Sequence, residues 1–266
     1  TSYQGETIRL SVVIPAYNES ERILPYLSDI TAYLEQRSKP YEVLAVDDGS
    51  RDDTATVVEK FETGAPAVRL IRLPRNTGKG GAVRTGMREA QGELQLIADA
   101  DGATPIQELA RLEAGISNGA DIAIGSRFLA SHDSRYTVKA RWHRTVLGNT
   151  FNQIVRRLGI HGITDTQCGF KLFRKAVAKD LFSVACVNGY GFDLELLYVA
   201  QRRGYRIAEI PVNWSDQPGS KVRVLRDGLR MLLELLAVRS NYARGRYAAI
   251  HRSATTPDFT PSASHK

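Results

Sequence analysis

The sequence predicts an α/β fold: a mostly parallel, twisted sheet flanked by helices. Three observations predict it. Short, almost continuously apolar runs match strands covered on both faces, segments of helical length separate them, and each run ends in a polar turn. The runs are LSVVI (10–14), EVLAVD (42–47), VRLIR (68–72), LQLIA (94–98) and DIAIG (121–125), with helical stretches at about 20–37, 52–62, 79–90 and 105–118. Sheets of this βαβ kind bind ligands outside the carboxyl ends of their strands. The turns PAYNES, DDGSRDDT, PRNTGKGG, DADGATP and GSRF are therefore where function is to be sought.

The second half is less regular. A basic helical segment near 139–158 leads to the polar turn TDTQCGFK (164–171), a helix over 191–204 and a strand over 205–212. In 222–240, Leu225, Leu229, Leu232 and Leu236 fall along one helical face, with basic residues on others. The division that follows is a main domain over 1–219, a basic amphipathic helical extension over 220–250 and a polar tail over 251–266 whose composition predicts disorder.

At 266 residues, 42% hydrophobic and 24% charged, the chain buries a substantial single core, and the disordered and fibrous classes drop out. The net charge of +7 points to an anionic partner: a nucleotide, a nucleic acid or an acidic membrane surface. Residues 221–252 hold eight Lys and Arg against Asp227 and Glu234 only, so the excess sits near the end. Two cysteines, Cys168 and Cys186, without a CxxC or Cys/His cluster, indicate neither a disulfide framework nor a zinc site and fit a reducing, cytosolic setting. No run reaches the roughly 18 apolar residues of a membrane span, and TSYQGETIRL lacks the apolar core of a signal peptide.

The chemistry begins with Asp99 and Asp101. In an extended segment alternate residues project to the same side, so the two carboxylates face one point and repel each other unless a cation lies between. Hard oxygen ligands suit Mg²⁺ or Mn²⁺ completed by diphosphate oxygens, and the competing reading is a helix cap for the stretch that starts near Pro105. The first strand ends in Pro15, Tyr17 and Glu19, the second in Asp47 and Asp48. Together they offer an aromatic face and acceptors for base N–H groups and ribose hydroxyls, or else caps for the helices that follow. The turn RNTGKGG (75–81) fits neither the phosphate-loop motif nor GxGxxG, because Lys79 is followed by Gly80 and Val83 takes the last glycine position. It remains a cationic strand-to-helix turn suited to a diphosphate through Lys79.

The set PAYNE, DDGS, NTGKGGAVRTG, DADGAT, GSR and DTQCGFKLF, in this order, resembles family 2 glycosyltransferases of the GT-A fold. DADGAT, DTQCGFKLF, FDLELLYVAQ and IPVNWSDQPGSK are similar to the dolichyl-phosphate β-glucosyltransferase branch, whose members transfer sugar from a UDP-sugar to a polyprenyl phosphate. The likeness spans about residues 10–221. It implies that Asp101 holds a Mg²⁺ or Mn²⁺ cofactor on the diphosphate, with Asp99 supporting it or binding the ribose, and that Ala100 with Pro15, Tyr17, Glu19, Asp47 and Asp48 borders the nucleotide. Arg127, Arg144 and Lys171 would hold the acceptor phosphate, and a phosphate favours several cationic donors. The mannose-transferring branch carries a glutamine ligand where this chain has Ala103, which argues against GDP-mannose.

A phosphate monoester is already largely a dianion at neutral pH, its second pKa being near ~6, so the need for a strong base is relaxed. Asp165 is a candidate for orienting the acceptor or the metal, or for a weak base, and equally for a turn cap. Asp193 and Glu195 stand where related enzymes carry a base, but two residues apart on a helix they diverge by roughly 200°, so at most one, with Asp193 the candidate, addresses a reaction centre.

With no span, a lipid acceptor would be reached through 221–252, either lying on an anionic membrane surface at its cytoplasmic face or packed on the domain. The reading is an inverting transfer of a hexose, glucose by resemblance, to polyprenyl phosphate. UDP-galactose, UDP-GalNAc, UDP-GlcNAc and GDP-mannose as donors, and a soluble sugar or protein acceptor, are the alternatives. A nucleic-acid partner is not expected, since aromatics are few in the basic tail and no helix-turn-helix or RNP motif is present. Oligomeric state, a homo-oligomer included, is left open.

Overall fold

The computed structural model describes residues 7–139, 151, 153–217 and 224–248. Strands β1 (Leu10–Ala16), β2 (Tyr41–Asp47), β3 (Val68–Arg72), β4 (Leu94–Ala98), β5 (Ile122–Ser126), β7 (Phe170–Arg174) and β8 (Ile207–Pro211) form a seven-stranded sheet ordered β3-β2-β1-β4-β7-β5-β8. Every pairing is parallel except those of β7, which runs antiparallel between β4 and β5. The strands β6 (Val138–Lys139) and β9 (Trp214–Ser215) make a separate two-stranded parallel pair.

The apolar runs divide between two cores by the strand period of two. Val13, Leu44, Val46 and Ile97 face one side, while Val12, Ile14, Val43, Ala45 and Leu96 face the other. The second side is covered by α1 (Ile23–Gln36), α2 (Thr54–Gly64) and α4 (Leu109–Ser117), through residues such as Leu27, Ile30, Val58 and Leu112. The first is covered by α3 (Lys79–Glu89), α6 (Lys175–Val184), α7 (Phe192–Arg202) and α8 (Val224–Ala243). The short α5 (Arg127–Ser131) follows β5 directly, its Ser126 hydroxyl accepting from the Leu129 N–H as an N-cap.

Two of these helices matter for the site. α3 contains three glycines and has low intrinsic helix preference. It is held by burial of Ala82, Val83 and Met87 against β1 and β2, which fixes Lys79 at its first position. α8 buries Met231, Leu235 and Val238 in the first core.

The sequence placed the apolar stripe of that helix elsewhere. Leu232 is only half-buried, and Leu229 and Leu236 stand 63% and 48% exposed, joined by Leu233 at 59%. The helix therefore carries two apolar stripes, and reading along the leucines mixes them. β7 and α6 were also not anticipated: 164–171 reads as a polar turn because Lys171 interrupts an otherwise apolar strand. Of the basic stretch 139–158 the structure describes residue 139, residue 151 and 153–158, with 153–157 helical. Arg144 and the tail 251–266 lie outside the described residues.

Candidate active site

The carboxyl ends of β1, β2 and β4 and the start of α3 converge on one cleft of about 390 Å³. Pro15, Tyr17, Glu19, Asp48, Lys79, Asp99, Ala100 and Asp101 all line it. Asp47, Arg127, Asp165, Lys171 and Asp193 do not line it; they form the layer beneath and beside it.

The turn after β1 is tied to the turn after β2. Asn18, with φ 52°, donates its N–H to the Ser50 hydroxyl (2.9 Å) and accepts from the Arg51 N–H (2.8 Å), while the Glu19 N–H donates to the Thr54 hydroxyl (2.7 Å). A left-handed backbone at Asn is one of the few non-glycine cases tolerated. The Glu19 carboxylate receives Nε and Nη2 of Arg22, each at 2.7 Å, and Nη1 of the same guanidinium lies 4.0 Å from Asp101 Oδ2. Arg22 thus bridges the rim of the cleft to the aspartate pair. The sequence reading passed over it, although a Glu–Arg pair three apart is a legible signal.

Asp47 and Asp48 serve the backbone. Asp47 Oδ1 accepts from the Ser50 N–H (3.1 Å). Asp48 accepts from the Thr77 N–H (2.7 Å), the Thr77 hydroxyl (2.8 Å) and the Gly78 N–H (2.9 Å). The next amides, those of Gly80 and Gly81, both donate to the Asn188 carbonyl, at 2.8 and 3.3 Å. These four amide donors of the NTGKGG turn are consumed inside the protein. Asn76, Thr77, Gly78 and Lys79 of the turn line the cleft, and the charge it brings there is the Lys79 ammonium.

That ammonium lies 2.6 Å from Asp99 Oδ1 and 5.9 Å from the centre of the Phe192 ring. At that distance the contact is a charge-assisted ion pair. Burial works to lower the Lys79 pKa, but Asp99 and then Asp193 hold it well above its ordinary value. Asp101 accepts from the Ala103 N–H (3.1 Å), and burial, with the Asp99 charge beside it, pushes its carboxyl above the usual range. A cation between the two carboxylates would relieve that strain. The donor set is two hard carboxylates, and among the described residues no group of three His, Cys, Asp or Glu could close a metal site on its own. The pair therefore fits a divalent ion whose remaining ligands come from an anionic substrate.

Gly169 presses against this pair. A methyl group at 169 would collide with the Asp99 carboxylate, whose Oδ1 would be 2.6 Å away. Gly169→Ala is expected to turn that carboxylate aside and lower kcat/KM by about 10²-fold, the scale of an ångström-sized misplacement. Thermal unfolding and kinetics of the same preparation check this: a normal rate would show that Asp99 tolerates displacement.

The neighbouring layer is a row of buried ion pairs. Lys171 Nζ donates to Asp193 Oδ1 (2.6 Å) and to the Cys168 carbonyl (2.5 Å), with the two side chains only 1% and 5% exposed. Lys171 thus stands inside the sheet rather than at a phosphate-facing surface. The carboxylate that Asp193 would need as a base is already engaged. Glu195 points elsewhere, accepting from the Cys186 and Val187 N–H groups and the Tyr247 hydroxyl. Arg127 gives Nε and Nη2 to the two oxygens of Asp165, both at 2.7 Å, and stacks 5.4 Å from the Trp214 ring centre. Burial raises the Asp165 pKa, but the Arg127 charge and hydrogen bonds outweigh it and hold the carboxyl below its usual range, which makes it a poor base.

The remaining wall comes from α8, the helix for which the sequence left a membrane-lying and a domain-packed reading open; its inner face packs on the domain. Asp227, Arg230, Met231 and Glu234 of α8 line the cleft at i, i+3, i+4 and i+7. Glu234 Oε2 accepts the Gly191 N–H (2.9 Å), and its Oε1 accepts from Arg230 Nε (3.1 Å). That helical spacing of charged residues was present in the sequence, beneath the more conspicuous leucines.

A cleft of this kind, at the carboxyl edge of a mixed sheet with paired aspartates after β4, defines a GT-A nucleotide-sugar fold. The chain belongs to glycosyl transferase family 2, whose family model matches residues 11–182, and is a glycosyltransferase. It is 42% identical over 257 residues to a human dolichyl-phosphate beta-glucosyltransferase, covering 91% of this chain and 78% of that one. The Saccharomyces cerevisiae protein of the same name is 37% identical, covering 91% of this chain and 77% of its own. Among solved structures, glucosyl-3-phosphoglycerate synthase from Mycobacterium tuberculosis in complex with Mn²⁺, UDP and glucosyl-3-phosphoglycerate superposes with a TM-score of 0.64 at 18% identity, covering 87% of this chain and 80% of that one. Mannosyl-3-phosphoglycerate synthase from Rubrobacter xylanophilus gives 0.66 at 17% identity, covering 96% and 80%. Both share the fold.

Proposed function

We propose that this enzyme transfers glucose, with inversion, from UDP-glucose to a polyprenyl phosphate at a membrane surface, using Mg²⁺ or Mn²⁺. The observation that carries the reading is the Asp99–Asp101–Lys79 cluster in a cleft bordered by Tyr17 and Glu19. The dolichyl-phosphate beta-glucosyltransferase relatives supply the acceptor class and the sugar.

Departure of UDP requires compensation of charge growing on the diphosphate. A divalent ion held by Asp101 and Asp99 would supply Lewis-acid stabilisation there. Lys79 adds a fixed positive charge at the same end, in a site where burial strengthens it. Tyr17 offers a face to the base, while Asp47 and Asp48 act by holding the two turns in shape. On the acceptor side, Asp165 fixes two edges of the Arg127 guanidinium, and the reading assigns Nη1 to the lipid phosphate; Arg144 is its proposed companion. Lys171 acts from beneath, by holding Asp193. Asp165 and Asp193 are both engaged by cations, so the phosphate itself is the nucleophile and no side chain needs to remove a proton from it.

On this reading, α8 is the part of the described structure that meets the lipid surface. No helix among the described residues is long and apolar enough to cross a membrane. The outer face of α8 exposes Leu229, Leu233 and Leu236, with Arg226 and Arg230 also exposed on the helix, while its inner face walls the cleft. Seated on an anionic surface, that helix would hold the cleft within about 10 Å of the headgroups, one helix diameter. Cys168 and Cys186 are free thiols, in keeping with the cytoplasmic face. Replacing all three leucines by serine is expected to weaken binding to anionic vesicles by about 10²-fold or more, since burying each is worth roughly 1.5–3 kcal/mol. Co-sedimentation with anionic vesicles checks this, and unchanged binding would remove α8 from the interface.

Donor choice is tested by incubating the enzyme and a short polyprenyl phosphate with labelled UDP-glucose, UDP-GlcNAc, UDP-GalNAc and GDP-mannose, each with Mn²⁺ or EDTA. Labelling from UDP-glucose alone, abolished by EDTA, is expected. Equal labelling from GDP-mannose would overturn the donor assignment.

A further inference from the structure

Lys79 occupies the position in the cleft that needs explanation, because its ammonium lies 2.6 Å from an oxygen of the aspartate pair that a divalent ion would use. We propose that Lys79 is an internal counter-ion: it holds Asp99 while the donor is absent and must yield that carboxylate as the cation and the nucleotide diphosphate enter together. This rests on the donor reading given above and adds an order of events to it.

Four features support the exchange. An oxygen ligand of Mg²⁺ sits about 2.0–2.1 Å from the ion, so an ammonium in contact with Asp99 Oδ1 and a divalent ion on the same oxygen would bring like charges into close repulsion. Gly169 closes one side of the Asp99 carboxylate, so a cation reaches it from the cleft, where the Lys79 ammonium already lies. The backbone of Lys79 is fixed on both sides, with Gly78 bonded to Asp48 and Gly80 to Asn188, so the movable part is the side chain. Finally, negative charge remains near the ammonium when Asp99 is released: Asp193, itself held by Lys171, already acts on the Lys79 charge, and an arriving diphosphate supplies a direct partner. The ammonium passes from the carboxylate to the diphosphate as the cation takes its place.

Linkage then requires nucleotide and cation to strengthen each other by the same factor. Without nucleotide, cation affinity is reduced by the fraction of molecules in which Lys79 covers Asp99.

The test is Mn²⁺ binding, by electron paramagnetic resonance of free Mn²⁺, to the full chain with and without saturating UDP and corrected for the Mn²⁺–UDP complex. Wild type is expected to bind Mn²⁺ at least about tenfold more tightly with UDP than without. Lys79→Met is expected to bind Mn²⁺ alone at least about tenfold more tightly than wild type and to lose most of the gain from UDP. Lys79→Arg is expected to keep the wild-type pattern. Mn²⁺ binding to Lys79→Met no tighter than to wild type overturns the proposal. So does wild-type affinity that is the same with and without UDP, a result that depends on no variant folding. If UDP binds under no condition, the donor reading falls and the counter-ion role falls with it.

Discussion

Asp101→Ala is expected to lower transfer by at least about 10³-fold while leaving the protein folded. Asp101 is partly open to the cleft and makes one backbone hydrogen bond, to the Ala103 N–H at 3.1 Å, so its loss removes little from the fold. Its carboxyl is held above the usual range by burial and by Asp99, which marks a place where negative charge is crowded in advance of a cation. Removing it relieves that crowding, and stability is expected to stay level or rise slightly. Catalysis suffers because Lewis-acid stabilisation of the departing diphosphate is worth several kcal/mol, and each ~1.4 kcal/mol is a factor of ten. Asp101→Asn separates charge from shape: it keeps the hydrogen-bond acceptor and is expected to be nearly as inactive. A fully active Asp101→Asn measured with EDTA present would show that the carboxylate pair holds no metal during transfer.

Lys171→Met is expected to destabilise the fold by about 3–5 kcal/mol, the range for breaking a buried pair by deleting one partner. With 1% of its side chain exposed, Lys171 cannot be replaced by water, and its loss leaves Asp193 buried near Asp99 with a carboxyl that burial already pushes upward. Chemical denaturation followed by tryptophan fluorescence reads the loss directly. The double variant Lys171→Met/Asp193→Leu is expected to recover much of it, because a buried ion pair and a well-packed apolar pair are of similar stability. A double variant as unstable as Lys171→Met would show that the loss does not come from an unpaired buried carboxylate.

Much of the donor half was legible in the sequence. The strand runs, their order and the acidic turns at their ends follow from period-two burial and from turn chemistry, and eight of the residues expected at the nucleotide line one cleft. What the sequence could not convey is which polar groups are already satisfied. Asp48 looks like an open acceptor and holds three donors of its own chain. Lys171 looks like a surface cation because lysine so seldom enters a sheet, and only the fold shows that Asp193, 22 residues later, meets it there. The leucines of α8 illustrate the same limit in apolar form: helical periodicity identifies two stripes but does not say which one the core takes. Arg22 and Glu234 were within reach, the first by its i,i+3 spacing to Glu19 and the second by its i,i+4 spacing to Arg230.

The central claim is that the enzyme transfers its sugar to a lipid phosphate. It is tested most directly by supplying UDP-[¹⁴C]glucose and Mn²⁺ to the enzyme with vesicles containing polyprenyl phosphate, in competition with 3-phosphoglycerate in solution. The account predicts that label appears in the organic phase as an acid-labile glycolipid and is absent from the aqueous phosphoglycerate fraction. Label confined to the aqueous fraction, with none in lipid at any vesicle concentration, would contradict it.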